Sequence, residues 1–166
     1  MTGFLNTDQE SLATEIAALL TGRSETVSVA EATTGGLVSA ALLWVAGASK
    51  YYVGGGVVYT LRSRTGLAGV PAEQYVNYRG TTPDMIASLA ESMRERLGTT
   101  WCIAESGLAG PTGGRNGAPA GRTTLGVAGP VARTTVIETG LDDRGANMVE
   151  FTTLALRYLR DAIRDA

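Results

Sequence analysis

Histidine is absent from the 166 residues, and cysteine and lysine occur once each, as Cys102 and Lys50. Without an imidazole, a Ser-His-Asp triad, a Cys-His pair and a His-liganded metal site are all impossible. Any catalysis has to come from hydroxyl, carboxylate, arginine, tyrosine or backbone groups. A lone cysteine excludes an intramolecular disulfide. With a single lysine, nearly all positive charge is arginine, and no basic run occurs. The 14 basic and 16 acidic residues leave a formal charge of −2. Nucleic-acid binding needs clustered Lys and Arg against phosphates, so no nucleic-acid partner is expected. No uncharged apolar run reaches about 18 residues and no signal-peptide pattern opens the chain, so no membrane association is expected and the expected location is cytoplasmic.

What is present fits a globular protein. The hydrophobic fraction of 44% is ordinary for a folded domain. The length suits one domain over residues 1–166, large enough to bury about two-thirds of its unfolded surface.

Periodicity divides the chain into alternating elements. Thr7 and Glu10 fit a capping box, and Leu12, Ile16, Leu19 and Leu20 predict a helix over about 8–21, with Gly22 as its stop. A strand follows at about 26–31, then a helix over about 35–46, apolar nearly all round and therefore expected to be deeply buried. Three glycines followed by Val57-Val58-Tyr59 predict a second strand at about 53–60, with glycine where another group comes close to the backbone. Leu67–Val70 reads as a short turn of helix and Pro71–Gly80 as a loop. Thr82-Pro83-Asp84 is a helix start, with a hydroxyl cap, proline at the first position and an acid in the first turn. It opens a helix over about 83–97. A third strand at about 101–106 leads into a long Gly/Pro loop, Gly107–Gly121. Strands at about 123–128 and 134–139 form a hairpin across Gly129-Pro130, and a helix over about 144–163 closes the chain. The order αβαβαβββα predicts a three-layer α/β/α sandwich on a mostly parallel mixed sheet of about five strands, one of them reversed.

Two stretches share a plan. Val27–Leu37 reads V-S-V-A-E-A-T-T-G-G-L, and Trp101–Pro111 reads W-C-I-A-E-S-G-L-A-G-P. Each is an apolar strand ending in Glu, hydroxyl residues and glycines. The order strand, glycine turn, helix presents backbone N–H groups at a sheet end, where they hold anions.

These residues resemble the CinA C-terminal domain family, also known as nicotinamide-nucleotide amidases. Val29-Ala30-Glu31-Ala32-Thr33-Thr34-Gly35-Gly36-Leu37 is similar to the family's A-E-S-C-T-G-G. Gly47-Ala48-Ser49, Gly55-Gly56-Val57-Val58-Tyr59 and Leu67-Ala68-Gly69-Val70 fit its next segments in order. Ser106–Gly114 is similar to T-G-I-A-G-P-x-G-G, Pro119-Ala120-Gly121 to P-x-G, and Asp142-Asp143-Arg144 to the G-D-R before the last helix. The resemblance covers essentially the whole chain and implies the α/β/α fold reached above. It also implies hydrolysis of the carboxamide of nicotinamide mononucleotide to nicotinate mononucleotide and ammonia, and a homodimer or higher homo-oligomer. In the family the Ser of E-S-C-T-G-G is the nucleophile, assisted by a Lys after the second strand and by that strand's Tyr.

Carried over residue by residue, the match fails at two positions. The nucleophile's position is Ala32, and the Lys falls at Arg64. Arginine stays protonated and is no general base near neutral pH. Tyr59, Thr34, Gly35, Gly36, Gly107, Gly110 and Arg144 match, and Ser106 replaces a Thr. A second family Arg on the last helix is Met148 here.

Several readings therefore stand side by side. Thr33-Thr34-Gly35-Gly36 is an anion cradle or plain N-capping. Glu31 and Glu105 are two carboxylates of one pocket, as acid/base or cation ligands, or acceptors of the glycine turns' N–H groups. Ser106 and Thr33 are replacement nucleophiles or hydrogen-bonding groups for a substrate. Arg64 and Arg144 grip a phosphate or form surface ion pairs. Tyr59 contacts a ligand or is a buried strand aromatic. Cys102 reads as inert core, and Gly107–Gly121 as a cover for the pocket or a surface loop. The catalytic candidates are Glu31, Thr33, Tyr59, Arg64 and Ser106. The substrate-binding candidates are Ala32, Thr34, Gly35, Gly36, Gly107, Ala109, Gly110 and Arg144. The expected partner is a nucleotide-like small molecule, with no metal or cofactor. The protein is then either an amidohydrolase of the nicotinamide mononucleotide deamidase type or a catalytically inactive nucleotide-binding module of the same fold.

Overall fold

The computed structural model describes residues 3–166. Five strands, β1 (Val27–Glu31), β2 (Tyr52–Val57), β3 (Trp101–Gly107), β4 (Arg122–Ala128) and β5 (Arg133–Glu138), form one sheet in the order β2-β1-β3-β4-β5. β1 is parallel to β2 and β3, while β4 runs antiparallel to both β3 and β5. Five helices accompany them: α1 (Thr7–Arg23), α2 (Leu37–Trp44), α3 (Leu61–Gly66), α4 (Pro83–Leu97) and α5 (Arg144–Arg164). The three-layer architecture, the single reversed strand and the β4–β5 hairpin match the pattern expected from the sequence.

The layers follow from the alternation of side chains along each strand. Val27, Val29, Trp101, Ile103, Leu125 and Val127 face α1, α2 and α5, where Ile16, Leu20, Leu42, Leu156 and Leu159 complete a buried cluster. The opposite face of the same strands carries the small residues Ala30, Cys102 and Ala104, against Ile86, Leu89, Ala90 and Met93 of α4. A Cβ at Gly126 would stand 3.1 Å from both Cγ2 and the carbonyl oxygen of Ile86, so glycine there lets α4 lie close on the sheet. Gly55 meets a similar demand: its Cβ would fall 2.2 Å from the Val29 carbonyl oxygen. Among the described residues no helix is long and apolar enough to cross a membrane.

Several boundaries differ from expectation, each for a local reason. The capping box of α1 is made by Asn6 and Gln9, one residue before the Thr7/Glu10 pair, because the amide side chains exchange bonds with both backbone N–H groups. Gly22 stays inside α1, and Ser24 in the left-handed region ends it. α2 starts only at Leu37, since Gly35 and Gly36 have φ of 64° and 105°. It is also less buried than its composition implied, with Leu43 and Trp44 exposed. β2 stops at Val57 rather than near residue 60. Beyond it the Thr60/Ser63 capping box opens α3, a short helix in place of the turn expected at Leu67–Val70. Pro71–Gly80 contains a 3-10 turn at Ala72–Tyr75.

Candidate functional site

β1 and β3 run side by side with Glu31 opposite Glu105, so the two glycine-ended strand tips meet at the carboxyl end of these two strands, inside the sheet. Glu31 is fully buried. Its carboxylate accepts the N–H groups of Gly36 (2.7 Å), Val38 (3.2 Å) and Ser39 (2.9 Å) and the Thr34 hydroxyl (2.7 Å). The first N–H groups of a helix have no partner within it, and an anion there also meets the positive end of the helix dipole. Glu31 is thus the cap of α2. Glu105 reaches across to the turn that follows β1, where its Oε2 accepts N–H from Ala32 and Thr34, both at 3.1 Å.

Thr34 Oγ1 lies 2.7 Å from Glu31 Oε1 and 2.9 Å from Glu105 Oε2. One hydroxyl proton can serve only one of these acceptors at a time. Burial pushes the Glu105 carboxyl above the usual carboxylate range, opposed by the N–H and hydroxyl groups of Thr34 and Ala32, and the charge on Glu31 adds to the rise. Glu105 Oε1 is buried with no partner. Thr33 ties the strands directly: Oγ1 donates to the Gly107 carbonyl and accepts the Gly107 N–H, both at 2.8 Å.

In front of this scaffold open two adjoining cavities, of about 470 Å³ and about 400 Å³. Leu61, Tyr78, Ser106, Gly107 and Arg115 border both. The smaller one adds Ala32, Thr33, Tyr59, Thr60 and Arg64. The larger one lies between Arg79–Thr81 and the Gly107–Gly121 loop, whose Leu108, Gly113, Gly114 and Asn116 line it. That loop doubles back tightly: a Cβ at Gly113 would stand 2.2 Å from the Ala118 carbonyl oxygen.

The floor of the smaller cavity is a buried cation. Arg64, only 3% exposed, donates from Nε to the Val58 carbonyl (3.2 Å), from Nη1 to Thr81 Oγ1 (3.0 Å) and from Nη2 to Ser106 Oγ (2.8 Å). All three acceptors are neutral, and Arg64 belongs to none of the ion pairs among the described residues. The Thr81 hydroxyl continues the network to Ser106 Oγ (2.9 Å) and the Tyr78 hydroxyl (3.0 Å). Taking a charge out of water costs on the order of several kcal/mol unless a counter-charge answers it. No Asp or Glu lines either cavity.

The candidate residues thus separate into groups. Ala32, Thr33, Tyr59, Arg64, Ser106 and Gly107 come together at the cavities. Tyr59 is not a buried strand aromatic; it follows the end of β2 and is 59% exposed. Glu31, Thr34, Gly35 and Gly36 lie behind the cavity wall as the turn that starts α2, and neither Glu31 nor Glu105 reaches the open space. Ala109, Gly110 and Arg144 form a separate junction, where Arg144 donates to the Gly110 carbonyl and Asn147 to that of Ala109. Burial pushes the Cys102 thiol up to about 12, which fits inert core. Tyr78, Arg79, Thr81 and Arg115 line the cavities without having been singled out. Their only signal is local: Tyr78-Arg79-Gly80-Thr81 and Gly113-Gly114-Arg115 each set a cation beside a glycine with no adjacent acid. Among the described residues no group of three or more Cys, Asp or Glu side chains could hold a metal ion.

Comparison with known proteins agrees with the fold. The CinA C-terminal domain matches residues 9–163. A CinA-like protein of Parasynechococcus marenigrum is 40% identical over 156 residues, 93% of this chain and 37% of that protein. Another, from Prochlorococcus marinus, is 42% identical over 123 residues, 74% of this chain and 29% of that protein. The chain thus spans about a third of the length of these curated relatives. Among solved structures, the competence/damage inducible protein CihA from Agrobacterium tumefaciens superposes with a TM-score of 0.87 at 27% identity, covering 98% of this chain and 99% of that one. A CinA superfamily protein from Klebsiella pneumoniae shares the fold, with a TM-score of 0.88 at 24% identity, over 95% of this chain and 99% of that one.

Proposed function

This chain belongs to the CinA C-terminal domain family, and on that premise we propose that it is a binding module for a phosphorylated, nucleotide-like small molecule rather than a hydrolase. The observation that carries this reading is Arg64. A guanidinium on a residue only 3% exposed, held by neutral acceptors at the floor of a cavity without carboxylates, is matched by an anionic ligand. Ser106 orients one face of the guanidinium, and Tyr59 offers an exposed ring beside it for an aromatic base.

The same residues speak against amide hydrolysis. Ala32 offers a methyl group to the cavity where the resembling enzymes have a nucleophilic serine. Two candidate hydroxyls remain, but Thr33 donates to the Gly107 carbonyl, and the neighbours of Ser106 within 3 Å are Arg64 and Thr81; none of these partners accepts a proton near neutral pH. Glu31 and the Oε2 of Glu105 are engaged by N–H groups behind the wall.

The test is one experiment with two readouts. Incubation with nicotinamide mononucleotide is expected to give saturable binding by calorimetry and no ammonia above the buffer blank. Ammonia release that disappears in Ser106→Ala would restore the amidohydrolase reading.

A further inference from the structure

We propose that the larger cavity is a second anion subsite, so that the ligand spans both cavities as a dinucleotide joined through a pyrophosphate. This deepens the binding-module reading and rests on it.

Volume gives the first argument. Small-molecule sites occupy about 300–1,000 Å³, and each cavity falls within that range by itself. They meet at Ser106, Gly107 and Arg115, so one elongated molecule can occupy both. A mononucleotide held at Arg64 leaves the larger one unfilled.

Charge gives the second. Arg64, Arg79, Arg115 and Arg122 border the joined cleft. The chain as a whole carries −2, so this face runs against its overall balance. Among the described residues, only Arg122 of the four has an ionic partner, Glu138 at 2.7 Å. Arg79 and Arg115 enter no ion pair among the described residues, and both are exposed. Free guanidiniums on a cavity wall suit phosphoryl oxygens, which they bind through two parallel N–H groups.

Placement gives the third. Arg115 stands at the junction with Ser106, where a pyrophosphate link would lie. Arg79 borders the larger cavity alone. Leu61 and Leu108 give that cavity an apolar wall for a second base, and the Tyr78 ring borders both spaces.

Calorimetry with nicotinamide mononucleotide and with nicotinamide adenine dinucleotide tests this. The wild-type protein is expected to bind the dinucleotide at least about tenfold more tightly. Arg79→Glu sets a carboxylate on the larger cavity alone and is expected to weaken the dinucleotide about tenfold more than the mononucleotide. Arg115→Gln should act in the same direction. Both side chains are exposed, and the thermal unfolding of each variant checks that it folds. Equal wild-type affinity for the two probes, or equal weakening of both by Arg79→Glu, overturns the second subsite and leaves the binding module standing. No binding of either probe overturns the binding module itself.

Discussion

Arg64 donates to the Ser106 hydroxyl at 2.8 Å, and through that bond the short helix α3 is fastened to the end of β3. The two residues lie 42 positions apart and share no local signal. Their pairing sets a positive charge under the cavity without neutralising it.

That arrangement separates binding from stability. Arg64→Met removes the buried charge and keeps most of the side-chain length. Anion affinity is expected to fall at least about tenfold. Thermal stability is expected to shift by no more than about 1–3 kcal/mol, because relief of the unpaired buried charge is opposed by the Val58, Thr81 and Ser106 oxygens that lose their donor. Calorimetry and thermal unfolding of the same preparation read both effects.

If the cleft retains the shape used by the hydrolases it resembles, the chemistry should be recoverable. Ala32→Ser combined with Arg64→Lys puts a nucleophile and a titratable amine at the two exchanged positions. The double variant is expected to release ammonia from nicotinamide mononucleotide, and each single variant much less. A double variant that binds this nucleotide without turnover would mean that the cleft is shaped for something else.

The Glu105 carboxyl makes stability depend on pH in a defined direction. Its folded-state pKa is raised by burial, so its contribution is fully present below the ordinary glutamate value of 4.5 and is lost as pH rises through the folded value. Glu105→Gln keeps an oxygen for the Ala32 and Thr34 N–H groups and does not ionise. The stability of Glu105→Gln relative to wild type is expected to grow as pH rises from about 4.5 to 7. Urea unfolding across that range measures it, and parallel curves would show that Glu105 does not titrate differently on folding.

Gly107 is a steric requirement. A Cβ there would fall 2.6 Å from Phe151 Cε2 and 3.1 Å from the Arg122 carbonyl oxygen. Gly107→Ala is expected to cost about 1–3 kcal/mol by overpacking, read as a lower urea midpoint. It should also disturb the Thr33–Gly107 exchange of hydrogen bonds and weaken ligand binding.

By itself the sequence determined the layers. The alternating β-branched residues at the start of Val27–Glu31, the short apolar run of Trp101–Ser106, the Thr82-Pro83 helix start and the hairpin at Gly129-Pro130 all act over a few residues, and all appear where expected. It also excluded imidazole chemistry outright. Only the tertiary structure decided the role of each polar group at the strand ends, because that depends on which N–H groups come within reach. Glu31 and Glu105 look like catalytic acids in one dimension. In three dimensions four donors claim the first, while the second bonds across to the turn that follows β1. Tyr78, Arg79, Thr81 and Arg115 come from two loops with no periodicity to read, and they meet only because α4 and the Gly107–Gly121 loop pack at the same end of the sheet.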